Sequence, residues 1–244
     1  MTRRSFVSLA AFVCLAGGAF AQPAPAPARP KLVVGIVIDQ FRYDYMTRFR
    51  SDYSGGLAKL LGQGAVFTNA RYKHYPTITA IGHSTFMTGA TPSVSGIAGN
   101  DWYDRESAKV VTSVGDPETR LLGGNEGTGA SPRKLLVSTL GDELKAAERG
   151  KARVVGVSIK DRAAILPSGH SANGAYWFDG ATGNFVSSTF YFAELPQWAK
   201  DFNAARLPDR YLNAEWKPLV ASPDYPDFSK RMASTANAAF YNSL

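Results

Sequence analysis

Two short apolar runs constrain this chain most: KLVVGIVID at residues 31–39 and RVVGVSI at residues 153–159. Each is rich in Val and Ile and apolar at successive positions, which is the pattern of a parallel strand buried on both faces. Such strands need cover on both sides, and helices supply it. A helix is signalled from Ser131-Pro132, with a serine cap and a proline in the first turn. Leu136, Leu140 and Leu144 form its apolar stripe, Glu143, Lys145 and Glu148 its solvated side, and Gly150 follows its end. Strand, helix, strand predicts an α/β class with a mainly parallel central sheet flanked by helices. Open sheets of this kind bind ligands beyond the C-terminal ends of their strands. Asp39 ends the first run, and Lys160-Asp161-Arg162 leaves the second.

Between the runs, Phe41, Tyr45 and Phe49 recur at helical spacing, and a short helix is expected over residues 55–64. Residues 65–72 read as the next strand. Residues 91–104 (TPSVSGIAGNDWYD) read as a loop holding Asn100, and residues 106–129 as a polar surface excursion. Residues 175–178 and 185–191 predict a hairpin around Asp179-Gly180, and residues 196–205 a helix. Beyond residue 206 the signals weaken.

The stretch Pro76-Thr77-Ile78-Thr79-Ala80-Ile81-Gly82-His83 opens a helix that stops at Gly89. A threonine entering a helix has two readings. It caps the free N–H groups, or its hydroxyl lies at an anion-attracting helix start where a phosphoryl group binds. A carboxylate such as Asp39 can hold a divalent metal. Lys160 and Arg162 can neutralise phosphoryl oxygens, the arginine through its fork. No GxxxxGK[ST] phosphate loop is present.

Residues 1–21 read as a secretory signal peptide: Arg3 and Arg4, an apolar stretch from Phe6 to Phe20, then Ala19-Phe20-Ala21 before a new N-terminus at Gln22. The sequence around Arg3-Arg4 also resembles a twin-arginine signal. Residues 22–30 read as a Pro/Ala leader, and residues 31–244 as the N-terminal part of a catalytic domain. Removing Arg3 and Arg4 lowers the formal charge from +7 to +5. No run of five or six basic residues marks a nucleic-acid surface. Cys14, the single cysteine, lies in the signal segment, so the mature chain has neither disulfide nor thiolate chemistry.

Three segments together, VVGIVIDQFRYDY, YPTITAIGHSTFMTGATPSVSGIAGNDW and SIKDRAAILPSGHSANGAYWFD, resemble the alkaline phosphatase superfamily. Within it they resemble the secreted bacterial PafA-like phosphatases with a threonine nucleophile. The resemblance runs from residue 31 to about residue 179. It implies that Asp39 is a ligand of one of two zinc ions and that Thr79 is the nucleophile. It implies that Asn100 binds a phosphoryl oxygen and that Lys160 and Arg162 favour phosphate monoesters. The substrates it implies are phosphorylated small molecules; the charge pattern points to no nucleic acid, and the signal segment to the periplasm or the outside of the cell with no stable membrane anchor.

The remaining zinc ligands of that family lie in a part of the pattern to which His74, His83 and His170 do not correspond. His83 is expected to pack or hydrogen-bond in its helix, and His170 to order a loop. The chain is therefore expected to be a truncated, N-terminal part of such an enzyme, weak in zinc binding and turnover. Two alternatives stand beside it: a phosphodiesterase or nucleotide pyrophosphatase of the same superfamily, and a non-catalytic periplasmic phosphate-binding pseudoenzyme.

Overall fold

A computed structural model describes residues 30–215. The signal segment, Cys14, most of the Pro/Ala leader and the C-terminal residues from 216 onward lie outside the described residues. The chain divides into two units, Met1–Ile38 and Asp39–Leu244. In the first, the described residues have no regular structure, and Leu32, Val33, Val34, Ile36 and Ile38 are exposed. This corrects the buried strand expected at residues 31–39. An apolar run can become a strand only where a ladder accepts its N–H and C=O groups, and residues 31–38 enter none.

The second unit begins with α1 (Tyr45–Arg48), a 3-10 turn at Arg50–Asp52 and α2 (Gly56–Gln63). Residues 65–72, expected as a strand, are irregular. Then come α3 (Thr79–Thr88), α4 (Pro92–Ser95), β1 (Asp101–Asp104), β2 (Lys109–Thr112), β3 (Gly115–Leu122) and β4 (Thr128–Ala130). They are followed by α5 (Leu140–Ala147), β5 (Val155–Ser158), α6 (Asp161–Ser168), β6 (Gly174–Asp179), β7 (Asn184–Ser188) and α7 (Gln197–Ala204), with a last 3-10 turn at Leu207–Tyr211.

β1 and β2 pair alone as an antiparallel ribbon, and the other strands form one sheet ordered β4-β3-β7-β6-β5. The α/β class with flanking helices stands, but the pairing is mixed. Among the described residues only β5 and β6 run parallel; β6–β7, β7–β3 and β3–β4 are antiparallel. The expected mainly parallel sheet failed because the polar segment after residue 106 supplies strands rather than a surface excursion. β3 reads GDPETRLL, with Pro117 inside a register shift between Asp116 and Arg120. Proline lacks the ladder donor, so a bulge is where a strand tolerates it. Asp116 is buried there because Arg133 donates to its carboxylate at 2.9 Å.

β6 and β7 form the expected hairpin, closed by Gly183 at φ +73°. Ala175, Trp177 and Val186 join Ile165 and Leu166 of α6 in the main core. Gly156 of β5 lets that strand lie directly on α6: a Cβ there would run into Ser168 Oγ and the Ala164 carbonyl. The helix expected from Ser131-Pro132 begins eight residues later. Thr139 caps α5 and exchanges bonds with Asp142 in a capping box. Ser131-Pro132 makes a turn instead, with Leu135 N–H donating to the Pro132 carbonyl at 2.8 Å. Leu135 is buried, while Leu136, Leu140 and Leu144 are exposed.

Candidate active site

The first turn of α3 gathers three of the five residues singled out from the sequence. Thr79 is the first residue of α3, and the extended Ile78 before it holds the cap position, with no side-chain cap bond. Thr79 Oγ1 instead donates to Asp39 Oδ2 at 2.8 Å, across 40 residues of chain. The other carboxylate oxygen, Asp39 Oδ1, accepts from the Gln40 N–H at 3.0 Å. The capping task falls to Asn100: its Oδ1 accepts from the Ala80 N–H at 2.9 Å. This removes the capping reading of the threonine. A hydroxyl that caps points back along its own helix, and this one points at a carboxylate.

The geometry also orients Asn100. With Oδ1 bound to Ala80, the amide NH₂ is left as the donor end. The Asn100 backbone is fixed at the base of the β1–β2 ribbon, where the Ser113 N–H donates to the Asn100 carbonyl at 2.8 Å. First-turn N–H groups lack intrahelical partners and carry the positive end of the helix dipole. The hydroxyl, the amide and these N–H groups therefore share one helix end.

Lys160 and Arg162 flank the start of a second helix. Lys160 is the cap residue of α6, in extended conformation, and Arg162 is the second helical residue. α3 and α6 pack against one another. Cations at a helix N-terminus oppose the dipole, so this pair is poorly placed for stability and well placed for an anion. Arg162 is half-buried and held by its neighbour, with Nε 3.4 Å from Asp161 Oδ1. The Lys160 carbonyl accepts from the Ala164 N–H at 3.1 Å, while its ammonium has no hydrogen bond or ion pair among the described residues, and the residue is exposed.

Two histidines meet the expectations set for them. His83 is buried with Nδ1 2.8 Å from the Thr79 carbonyl. His170 orders a loop: its Nε2 lies 2.8 Å from the Leu135 carbonyl and its Nδ1 3.5 Å from Asp142 Oδ2. The ring nitrogens of His74 are buried without a hydrogen-bond partner among the described residues, its ring lying against Tyr72. Asp39 and Thr79 offer oxygen donors to a cation, but a four-coordinate zinc site needs more. Among the described residues, no group of three or more His, Cys, Asp or Glu side chains completes it. The residues present thus fit one edge of a zinc site and do not make a cage.

A hydroxyl directed by a carboxylate, an oriented amide and a cation pair at a neighbouring helix start together suit the binding of phosphoryl groups. The chain belongs to the type I phosphodiesterase / nucleotide pyrophosphatase family, within the alkaline phosphatase superfamily, and matches it over residues 33–242. It is 44% identical to alkaline phosphatase PhoV of Synechococcus elongatus, over 96% of this chain and 44% of that protein. It is 45% identical to alkaline phosphatase PafA of Elizabethkingia meningoseptica, over 86% of this chain and 39% of that one. A crystal structure of a PafA variant superposes with a TM-score of 0.78 at 43% identity, covering 82% of this chain and 39% of the other. In that variant a threonine is replaced by serine, and an asparagine, a lysine and an arginine by alanine. The chain therefore spans less than half the length of these curated relatives. Among the described residues, no helix is long and apolar enough to cross a membrane.

Proposed function

We propose that this chain carries the substrate-binding side of an exported, zinc-dependent phosphomonoesterase in which Thr79 becomes transiently phosphorylated. The observation that carries the proposal is the Thr79 hydroxyl, relieved of capping and aimed at Asp39 at 2.8 Å. Its proton is directed at the carboxylate, which leaves the oxygen lone pairs free to face phosphorus. Thr79 Oγ attacks phosphorus as its proton passes to Asp39, and the leaving-group oxygen departs with the electron pair of its bond to phosphorus. Water then releases phosphate and restores the hydroxyl. Asn100 donates to one non-bridging oxygen, and Lys160 with Arg162 neutralises the others. A monoester presents three such oxygens and a diester two, so the cation pair favours the monoester. Asp39 is the carboxylate this chain offers to zinc, which when bound supplies Lewis-acid activation.

The names of the relatives support the monoester reading. The description of the matched family favours a second one, phosphodiester or pyrophosphate cleavage. Incubating the chain with zinc and either p-nitrophenyl phosphate or bis(p-nitrophenyl) phosphate, then mapping any bound phosphate, tests both. Phosphate on Thr79, absent in Thr79→Ala, is the expected result, and phosphate elsewhere overturns it. Replacing Lys160 and Arg162 together by alanine should damage monoester transfer far more than diester transfer. Equal losses would favour the second reading. Phosphate binding without any transfer would favour the pseudoenzyme.

A further inference from the structure

One peptide group, the one joining Thr79 to Ala80, is gripped at both ends by side chains. Its N–H donates to Asn100 Oδ1 at 2.9 Å, and its carbonyl oxygen lies 2.8 Å from His83 Nδ1. A carbonyl only accepts, so the proton is on Nδ1. In the helical ladder the same carbonyl also receives the backbone N–H four residues on, which again belongs to His83. His83 thus fills both lone pairs of one oxygen. It is 6% exposed, so water competes little for the bond.

Buried histidines on helices often satisfy themselves on a carbonyl one turn back. Here the target sets this one apart. The clamped plane restrains ψ of Thr79, and with it the direction in which the Cα–Cβ bond leaves the helix; the bond to Asp39 then selects the Cβ–Oγ rotamer. Asn100 holds the plane by its N–H and the helical ladder holds one lone pair of its oxygen; the His83 ring takes the other lone pair and tightens the plane against tilting. We propose that His83 is a positioning residue for Thr79. With Asn100 it locks the Thr79–Ala80 peptide so that Oγ1 stays on Asp39. The functional consequence rests on Thr79 being the nucleophile, whereas the clamp itself does not.

The tests use the full chain. Nitrogen-15 spectra of the imidazole rings at pH 8.5 should show His83 in the Nδ1–H form, and a Nε2–H ring would overturn the proposal. Asparagine places an N–H where Nδ1 stands, and leucine places none. Exchange of the Ala80 amide should therefore quicken about tenfold in His83→Leu, at an unchanged unfolding temperature, and return to the wild-type rate in His83→Asn. A general loss of protection across the core in His83→Leu, or equal Ala80 exchange in all three proteins, would mean a structural role only. Phosphate transfer to Thr79 should slow about tenfold in His83→Leu with KM unchanged. A wild-type chain that never becomes phosphorylated defeats the proposed function, and the spectra and exchange rates still decide the clamp.

Discussion

At the scale of single residues, Thr79 was legible as a residue and not as a geometry. Its place before a small-residue helix marked it out, but capping and nucleophilic chemistry use the same position. What takes the cap from Thr79 is Asn100, which lies 20 residues beyond the Ala80 N–H that it accepts from. No local pattern announces a cap supplied from another segment, so the sequence could nominate Asn100 only through family resemblance. Gly156 is a second residue whose role is invisible in the string. It reads as a small gap in an apolar strand, and it is the point where β5 rests on α6. Gly156→Ala should destabilise the chain by roughly 1–3 kcal/mol through overpacking, seen as a lower midpoint in urea with an unchanged slope. An unchanged midpoint would mean that strand and helix are not in close contact.

Among the elements, α5 is held by one carboxylate. Asp142 accepts from the Thr139 N–H, the His170 N–H and both donors of Ser171. Burial alone would push this acid up, but the donated bonds outweigh it and hold the carboxyl at about 2. The folded-state value lies below the ordinary aspartate value of about 3.9. The stabilisation is therefore complete above pH ~4 and is lost as pH falls through about 2. Asp142→Asn should lower stability at pH 7 and flatten the acid limb between about pH 4 and pH 2, measured by chemical denaturation across that range. An unaltered acid limb would remove Asp142 as its source. The capping box was present in the sequence as Thr139-x-x-Asp142, yet Ser131-Pro132 offered a second, louder start signal. The strand β3 was hidden for a different reason: its inward Asp116 and Thr119 are polar and satisfied by partners, so hydrophobic alternation never appears. The β6–β7 hairpin and α7 were legible because their apolar positions and turn glycines agree with their surroundings.

For the molecule as a whole, the class was readable and the strand directions were not, because pairing depends on partners distant in sequence. The proposed zinc chemistry follows the same divide. With only Asp39 and Thr79 as donors among the described residues, zinc titration of the chain should show weak binding and little turnover of p-nitrophenyl phosphate. Tight stoichiometric binding with fast turnover would show that the ligands are complete within these 244 residues. The Thr79–Asp39 bond has one further consequence, for the order of events in folding. α3 forms from neighbours along the chain, whereas its hydroxyl meets a carboxylate 40 residues upstream and its cap comes from 20 residues downstream. Closing two such loops is entropically slower than winding a helix. A newly made chain thus owns the helix before it owns the hydroxyl–carboxylate pair, and the Thr79 hydroxyl stays undirected until the tertiary fold has closed around it.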